Sequence, residues 1–489
     1  MSESVSYRRD DLEAIIPKYQ LIRDCIEGEA SVKLQTTNYL PQPNADDTSI
    51  DNLSRYNSYL VRAVFYGVTG RTLRGLVGQI FLRDPVYDVP DLLQPVIADA
   101  NGEGLDIIQL AKRLCTNVMA YGRCGLMVDY PKTLKPTTRQ QLLDGEVAPM
   151  IKVFDPWNVI NWRTVIKGSK KLLSLVVIKE KYEVNDDGFQ KLLIDQWRVL
   201  RLLPTGCVVE IWRQGTDGTF SIKERYSLCD HKGKELHEIP FKFVGSENND
   251  AEIDNPPMYD MAILNIAHYR NSADYEESCF ITGQPTLFVN GLSQDWWENV
   301  LGKVIRMGAR AAVPLPPESE ANLLQSLPNT MPHEAMAHKE RQMVAIGAKL
   351  IEQRNIERTA TETEIESASD TSVLATAAKN ASNMLLWALQ KAASFAGIAD
   401  TQLKFELNTN FDLASMTAEE MRQVMEAWQG HGITFSEMRE NLKRSGIAKL
   451  SDEEAMAEIE KLKDMIPENQ PPAQAKPDPK GDATDTPST

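Results

Sequence analysis

The stretch from Glu362 to Ala396 constrains this chain more than any other. It opens on Thr361-Glu362-Thr363-Glu364, a T-x-x-E capping box in which each side chain satisfies an orphan backbone donor. It closes at Gly397, a residue suited to the left-handed position that ends a helix. About 34 residues at 1.5 Å rise give a rod of roughly 50 Å. Its interior carries Ala368, Ala375, Ala377, Ala378, Ala381, Ala388, Ala392 and Ala393. A helix that is small and weakly polar around most of its girth has to be packed on several sides, which excludes a free surface helix.

The segments before it divide by period. Residues 5–28 read as a helix that restarts at Pro17 and stops at Gly28. Residues 52–82 read as one helical block, with Leu53, Tyr56, Leu60, Val64 and Val68 stepping by three and four. A further helix starts at Leu105 and ends near Gly122. From Gly125 to Val244 the pattern changes to short Val-, Ile-, Leu- and Trp-rich runs, such as 126–130, 173–182, 195–202 and 208–213. Asp-Gly punctuation at 186–188 and 217–218 marks hairpin turns, so this block predicts an antiparallel meander. Helices return at Met258–Phe280 and Glu334–Glu357, with a mixed segment from Gly283 to Pro317 that includes a strand-like T-L-F-V-N. A strand-like 404–408 and three short helices (417–428, 435–444 and 452–466) follow the alanine-rich rod. The fold class is therefore α+β. Beyond Pro467 the chain is proline-rich and lacks aromatic and branched aliphatic residues, a composition that predicts disorder.

Composition narrows the function. Charged residues make up 25% and hydrophobic residues 42%, enough for a sizeable core. The formal charge of −16 argues against a protein that wraps nucleic acid tightly, because that needs clustered cations. It leaves open a protein past which nucleic acid slides. The six cysteines (25, 115, 124, 207, 229 and 279) include no C-x-x-C pair and fit a reducing compartment. The first residues lack an apolar signal-peptide core, and no run of about 18 apolar residues predicts a membrane span.

Three segments imitate chemical motifs, and two carboxylate pairs stand beside them. His333 and His338 flank Glu334 in P-H-E-A-M-A-H, but at i, i+5 the second imidazole lies about 140° around the helix from the first, unlike a zinc-binding H-E-x-x-H. Asp99 to Gly104 matches the first half of a calcium loop, yet position twelve is Leu110 in place of a bidentate Glu. Gly70 to Gly75 begins like a phosphate loop but continues with Leu76 and Val77, lacking both the Lys and the Ser or Thr. Its glycines suit close helix approach. Asp186-Asp187 and Glu276-Glu277 read as solvated charge, and no nucleophile elbow or paired histidine is present. The sequence therefore predicts no enzyme, no cofactor and no metal.

Four strings carry a resemblance. R-A-V-F-Y-G-V-T-G-R-T-L-R-G-L-V-G-Q-I-F (62–81), Y-G-R-C-G-L-M-V-D-Y-P (121–131), N-I-A-H-Y-R-N-S-A-D-Y (265–275) and T-A-T-E-T-E-I-E-S-A (359–368), set in the element order above, resemble the portal proteins of tailed bacteriophages. The resemblance covers residues 5–450. It implies a portal fold with these parts: an N-terminal arm and mixed α/β wing at 1–257, a first stem helix at 258–283, a clip at 284–332 and a second stem helix at 333–356. A tunnel loop and spine helix would span 357–398, a return strand to the wing 399–416, a helical crown 417–466 and a tail 467–489.

By the same resemblance the chain forms a ring, expected as a 12-mer, at one capsid vertex in the virion, assembled in the host cytoplasm. Double-stranded DNA enters and leaves through the ring's channel. The implied partners are the terminase large subunit, the major capsid and scaffold proteins and a head-tail adaptor. Twelve copies would sum to roughly −190, a field that repels phosphate and lets DNA move without sticking. Lys349, Arg354 and Arg358 are the DNA-channel candidates, weighed evenly against pairing with Glu352, Glu357 and Glu362 at helical spacing. The alanines of the spine suit close helix contacts within and between subunits. Two other readings stand beside this one. The first is a Mg-dependent DNA-processing hydrolase of the packaging machinery, which would need a carboxylate cluster or phosphate loop. The second is a minor capsid or scaffold-like interaction protein without a channel.

Overall fold

The computed structural model describes residues 4–129, 140–141, 147–184, 188–189, 191–230, 232–283, 286–305, 313–324, 329–351, 372–398, 402–409, 411, 418–430, 432–444 and 452–465. The chain divides into two units, Met1–Phe411 and Asp412–Thr489. Arg354, Arg358, Glu352, Glu357, Glu362, the capping box at 361–364, the Asp186-Asp187 pair and the tail after Pro467 lie outside the described residues.

The first unit opens with α1 (Asp10–Glu27) and α2 (Glu29–Leu34), joined at Gly28, whose φ of 103° only glycine adopts readily. Contrary to the expected restart, α1 runs through Pro17 without a break. The block expected at 52–82 is two helices, α3 (Ile50–Arg62) and α4 (Val68–Ile80). The break has a specific cause. The Ser272 hydroxyl accepts from the Val64 N–H at 3.1 Å and donates to the Val64 carbonyl at 2.6 Å, so this backbone is satisfied outside a helix. Two short elements follow, β1 (Val86–Asp88) and α5 (Gln94–Ala98). Next comes α6 (Ile107–Tyr121), which starts at a capping box between Asp106 and Gln109 and stops at Gly122 with φ +79°.

The β-rich block forms two sheets. In the smaller one, β2 (Arg123–Asp129) lies between β3 (Met150–Phe154) and β9 (Phe241–Gly245), both antiparallel to it. The larger sheet is the meander expected from the sequence, in consecutive order β4 (Val159–Lys167), β5 (Lys170–Val184), β6 (Leu192–Leu203), β7 (Gly206–Gln214) and β8 (Phe220–Ser227). The turn between β7 and β8 falls at Asp217-Gly218, with Gly218 at φ +80°.

Next, α7 (Tyr259–Gly283) leads into a hairpin of β10 (Thr286–Asn290) and β11 (Glu320–Leu324), and α8 (Met331–Lys349) returns along α7. The alanine-rich rod is α9 (Val373–Phe395), capped at Ser372, whose side chain accepts from the Ala375 N–H. Ser372 has an extended ψ of 157°, so the helix begins there and not at Glu362, and its 23 residues span roughly 35 Å. Gly397 ends it at φ +71°, as the sequence indicates. Finally β12 (Lys404–Glu406) pairs antiparallel with β1.

At the centre of this unit, α9 contacts α4, α6, β2, β9 and β12. Leu374, Ala375, Ala378, Ala381, Leu385, Ala388, Leu389 and Ala392 are all fully buried. The alanines are small because elements of the same chain approach from several sides. Among the described residues, the alanines from Ala375 to Ala393 are therefore covered within one copy, and for these the part of the expectation that assigned them to contacts between subunits does not hold; Ala368 lies outside the described residues. Ser382 adds a polar tie: its hydroxyl donates to the Ala378 carbonyl and accepts the Leu407 N–H at 3.0 Å, holding the strand after α9 to the helix.

The second unit contains α10 (Ala418–Gln429), α11 (Phe435–Arg444) and α12 (Asp452–Met465). Thr434 and Glu437 form a capping box at the start of α11, and Trp428 contacts Phe435.

Candidate functional site

The element that organises the first unit outside its core is α7. Its N-terminal half is buried against α1, α3 and α4. Asn265, fully buried, accepts from the Thr69 N–H at 3.1 Å and the Thr69 hydroxyl at 2.9 Å, and donates to the Tyr66 carbonyl at 2.8 Å. Two turns on, Ser272 holds Val64. Tyr59 donates to Asp274 at 2.6 Å, and burial with that carboxylate beside it pushes the phenol well up from its ordinary pKa. Glu277 takes Arg62 in a close ion pair and Arg55 at 3.8 Å. Its side chain is only 16% exposed, so the reading of Glu277 as solvated charge is corrected: it is a tether between α7 and α3. The strings 62–81 and 265–275, singled out separately in the sequence, thus pack on each other residue by residue.

The second face of α7 carries α8. His268 Nε2 lies 3.2 Å from Glu340 Oε1, and Lys339 donates to the Asn271 side-chain oxygen at 2.5 Å. Tyr275 packs on His333 with ring centroids 5.9 Å apart. Within α8 only Met343 is buried among the described side chains; Val344 is 72% exposed and Met331 69%. A 19-residue helix that buries one side chain leaves most of its length uncovered in a single copy. The hairpin at the tip repeats the pattern, with Phe288 53% and Leu323 61% exposed.

Lys349, the one DNA-channel candidate among the described residues, occupies the last turn of α8 and is exposed. A cation in the last turn complements the helix dipole, so its position also has a purely local benefit. Arg341, two turns earlier, is exposed on the same helix. The sequence reading missed it because only its position on a largely uncovered helix singles it out. His333 and His338 do not converge: His333 is occupied with Tyr275, and no group of His, Cys, Asp and Glu among the described residues is placed to hold a metal ion.

The other imitated motifs resolve structurally. Asp99 Oδ1 accepts the N–H groups of Gly102 and Gly104, and Asn101 Oδ1 accepts those of Glu103 and Leu105. The oxygens that a calcium ion would need are thus turned onto the loop's own backbone. Gly70 lies inside α4, and a Cβ there would sit 2.9 Å from the Ile26 carbonyl oxygen, so this glycine permits the α1–α4 approach. One buried cation escaped the sequence reading. Arg123, 2% exposed, lies with its guanidinium 3.7 Å from the Phe243 ring centroid and 4.5 Å from that of Trp162. Burial lowers its pKa to about 10. Arg9 stacks on the same Trp162 at 4.2 Å, which ties the N-terminal segment to β4.

A family model described as a domain of unknown function (DUF4055) matches residues 257–396, the span from α7 through α9. No curated protein matches the chain. Among solved structures, it is similar to a chain of the virion of a native gene transfer agent particle. The two are 13% identical with a TM-score of 0.40, over 81% of this chain and 94% of that one. It is likewise similar to a chain from the neck of an empty gene transfer agent particle computed with C6 symmetry. There the identity is 13% and the TM-score 0.39, over 80% of this chain and 93% of that one. At these TM-scores the likeness carries no argument about function. No helix among the described residues is long and apolar enough to cross a membrane.

Proposed function

We propose that the chain is one subunit of a portal-type ring at a capsid vertex, through whose channel double-stranded DNA passes. The observation that carries this reading is the state of α8: a long helix, held to α7 by polar contacts, with one buried side chain and exposed Val344 and Met331. A 19-residue helix left uncovered along most of its length in one copy is a reason to expect further copies beside it. In this reading α7 and α8 are the stem, the β10–β11 hairpin and its neighbours the clip, the sheets with α1–α6 the wing, and the second unit the crown. Lys349, Arg354 and Arg358 are the cations expected to meet phosphate in transit, and Arg341 joins them as an exposed cation on the stem. Work is supplied by a separate terminase, and the clip meets a head-tail adaptor once packaging ends.

The reading predicts a particle phenotype. Particles assembled without this chain should contain no packaged DNA, measured as the fraction of dense particles in a gradient. Normal filling in its absence would overturn the proposal. Purified protein should also show neither ATPase nor nuclease turnover with Mg²⁺, whereas the competing hydrolase reading requires one of them.

A further inference from the structure

Two exposed patches of the first unit are complementary to each other. The first is the tip of the β4–β5 hairpin. Residues 163–171 (R-T-V-I-K-G-S-K-K) carry four cations and no acid in a chain whose net charge is −16. Ile166 is 78% exposed and Val165 44%. Lys171 reaches Glu252 at 3.8 Å, a pair with both partners in solvent, while Lys167 and Lys170 have no ion pair among the described residues. Further, β4 is an edge strand. The backbone of Arg9 bonds the Ile160 carbonyl and its side chain the Trp162 carbonyl, so the outer edge is taken as far as residue 162 and, among the described residues, takes no strand from Thr164 to Lys167.

The second patch is β1 and its flanks. Residues 82–91 (L-R-D-P-V-Y-D-V-P-D) carry three acids against one cation, Arg83; Asp84, Asp88 and Asp91 are all exposed and without an ion pair among the described residues. Leu82 is 60% exposed, Val86 56% and Tyr87 39%. β1 pairs with β12 alone among the described residues, so none of these occupies its other edge. An open edge with exposed apolar side chains is a template for strand addition, and soluble chains normally blunt such edges. Here one edge is basic and the other acidic, so each attracts the other and repels itself.

We propose that the β4–β5 hairpin tip of one copy docks on the β1 edge of a second copy. The occupant is a second copy because the exposed valine and isoleucine at the tip suit a protein surface with matching apolar groups, not a phosphate backbone. Such a contact joins two different patches, so it is heterologous, and successive copies close into a ring when the rotation allows. The inference rests on the ring reading for its setting and names the contact that links neighbours.

The test is a charge swap read by mass photometry across a dilution series. Lys167→Glu, Lys170→Glu and Lys171→Glu together should raise the concentration for half-assembly at least about tenfold, as like charges then face each other. Adding Asp84→Lys, Asp88→Lys and Asp91→Lys to the same chain should restore assembly. As a second measurement, Ile166→Cys with Val86→Cys in a Cys279→Ser background should give a ladder of cross-linked chains with a short bismaleimide. If the wild type forms rings and the triple Glu variant assembles equally well without the ladder, this contact is wrong and the ring reading stands. If that variant assembles normally but loses DNA retention, the tip serves a polyanion and the proposal is overturned. A wild type that is monomeric throughout overturns both.

Discussion

Replacing Ala378 and Ala381 together by Leu tests why α9 is rich in alanine. Both positions are fully buried within one copy, on a helix contacted by α4, α6, β2, β9 and β12. Adding methylenes to a filled interior costs about 1–3 kcal/mol per site. The two sites lie one turn apart and couple, so the pair is expected to cost about 2–5 kcal/mol. Unfolding entropy of about 2.1 cal/mol/K per residue gives roughly 0.8 kcal/mol/K for a unit of about 400 residues. The double variant should therefore melt about 2–6 °C below wild type by intrinsic tryptophan fluorescence on dilute, unassembled protein. Lys379→Leu and Asn383→Leu, exposed on the same helix, should shift the midpoint by less than about 1 °C. The reasoning is refuted if the alanine variants melt with the wild type and only assembly is lost, because the alanines would then face another copy.

Other outcomes follow from single contacts. Ser382→Ala removes the acceptor of the buried Leu407 N–H, which should cost about 1–3 kcal/mol and speed hydrogen exchange at 404–407. Asp254 has a raised pKa, first because of burial, so the folded state binds its proton more readily than the unfolded chain does. Above the folded pKa the buried charge is a net cost. That cost fades as pH falls through the folded value toward 3.8. Asp254→Asn should thus be more stable than wild type at neutral pH, with the difference shrinking on acidification in denaturant titrations; a difference independent of pH would contradict this. Among the thiols, Cys279 is exposed, whereas burial pushes Cys25, Cys115 and Cys207 up to about 12 and raises Cys124 as well. Iodoacetamide at neutral pH should modify Cys279 first and leave those four intact until unfolding, as read by peptide mass spectrometry.

What the sequence made legible was periodicity and punctuation. The meander, the two helices α7 and α8 with strand β10 between them, and the stop at Gly397 follow from alternation, apolar stepping and glycine, whereas β11, the partner of β10, was not read. The break between α3 and α4 did not, because A-V-F-Y-G continues the apolar pattern and the cause is Ser272, more than 200 residues away. The true start of α9 at Ser372 was hidden because its N-cap has Ala375 where a capping box would have Glu or Gln, while the T-x-x-E pattern at 361–364, eleven residues upstream, matches the full sequence rule. Arg123 was invisible for a related reason: whether an arginine is buried depends on the rings that meet it, and Trp162 and Phe243 come from other strands. Of the channel cations, Lys349 was named in the sequence through the resemblance alone, and its place in the last turn of α8 comes from the structure, while Arg341 required knowing that α8 is left uncovered.

The central claim is that many copies surround a hollow axis. Negative-stain microscopy of the purified full chain, classified without imposed symmetry, tests it most directly. The account predicts axial views of a closed ring with a central hole wide enough for a DNA duplex and one chain per repeat. Uniform single globules the size of one copy, at every concentration examined, would contradict it.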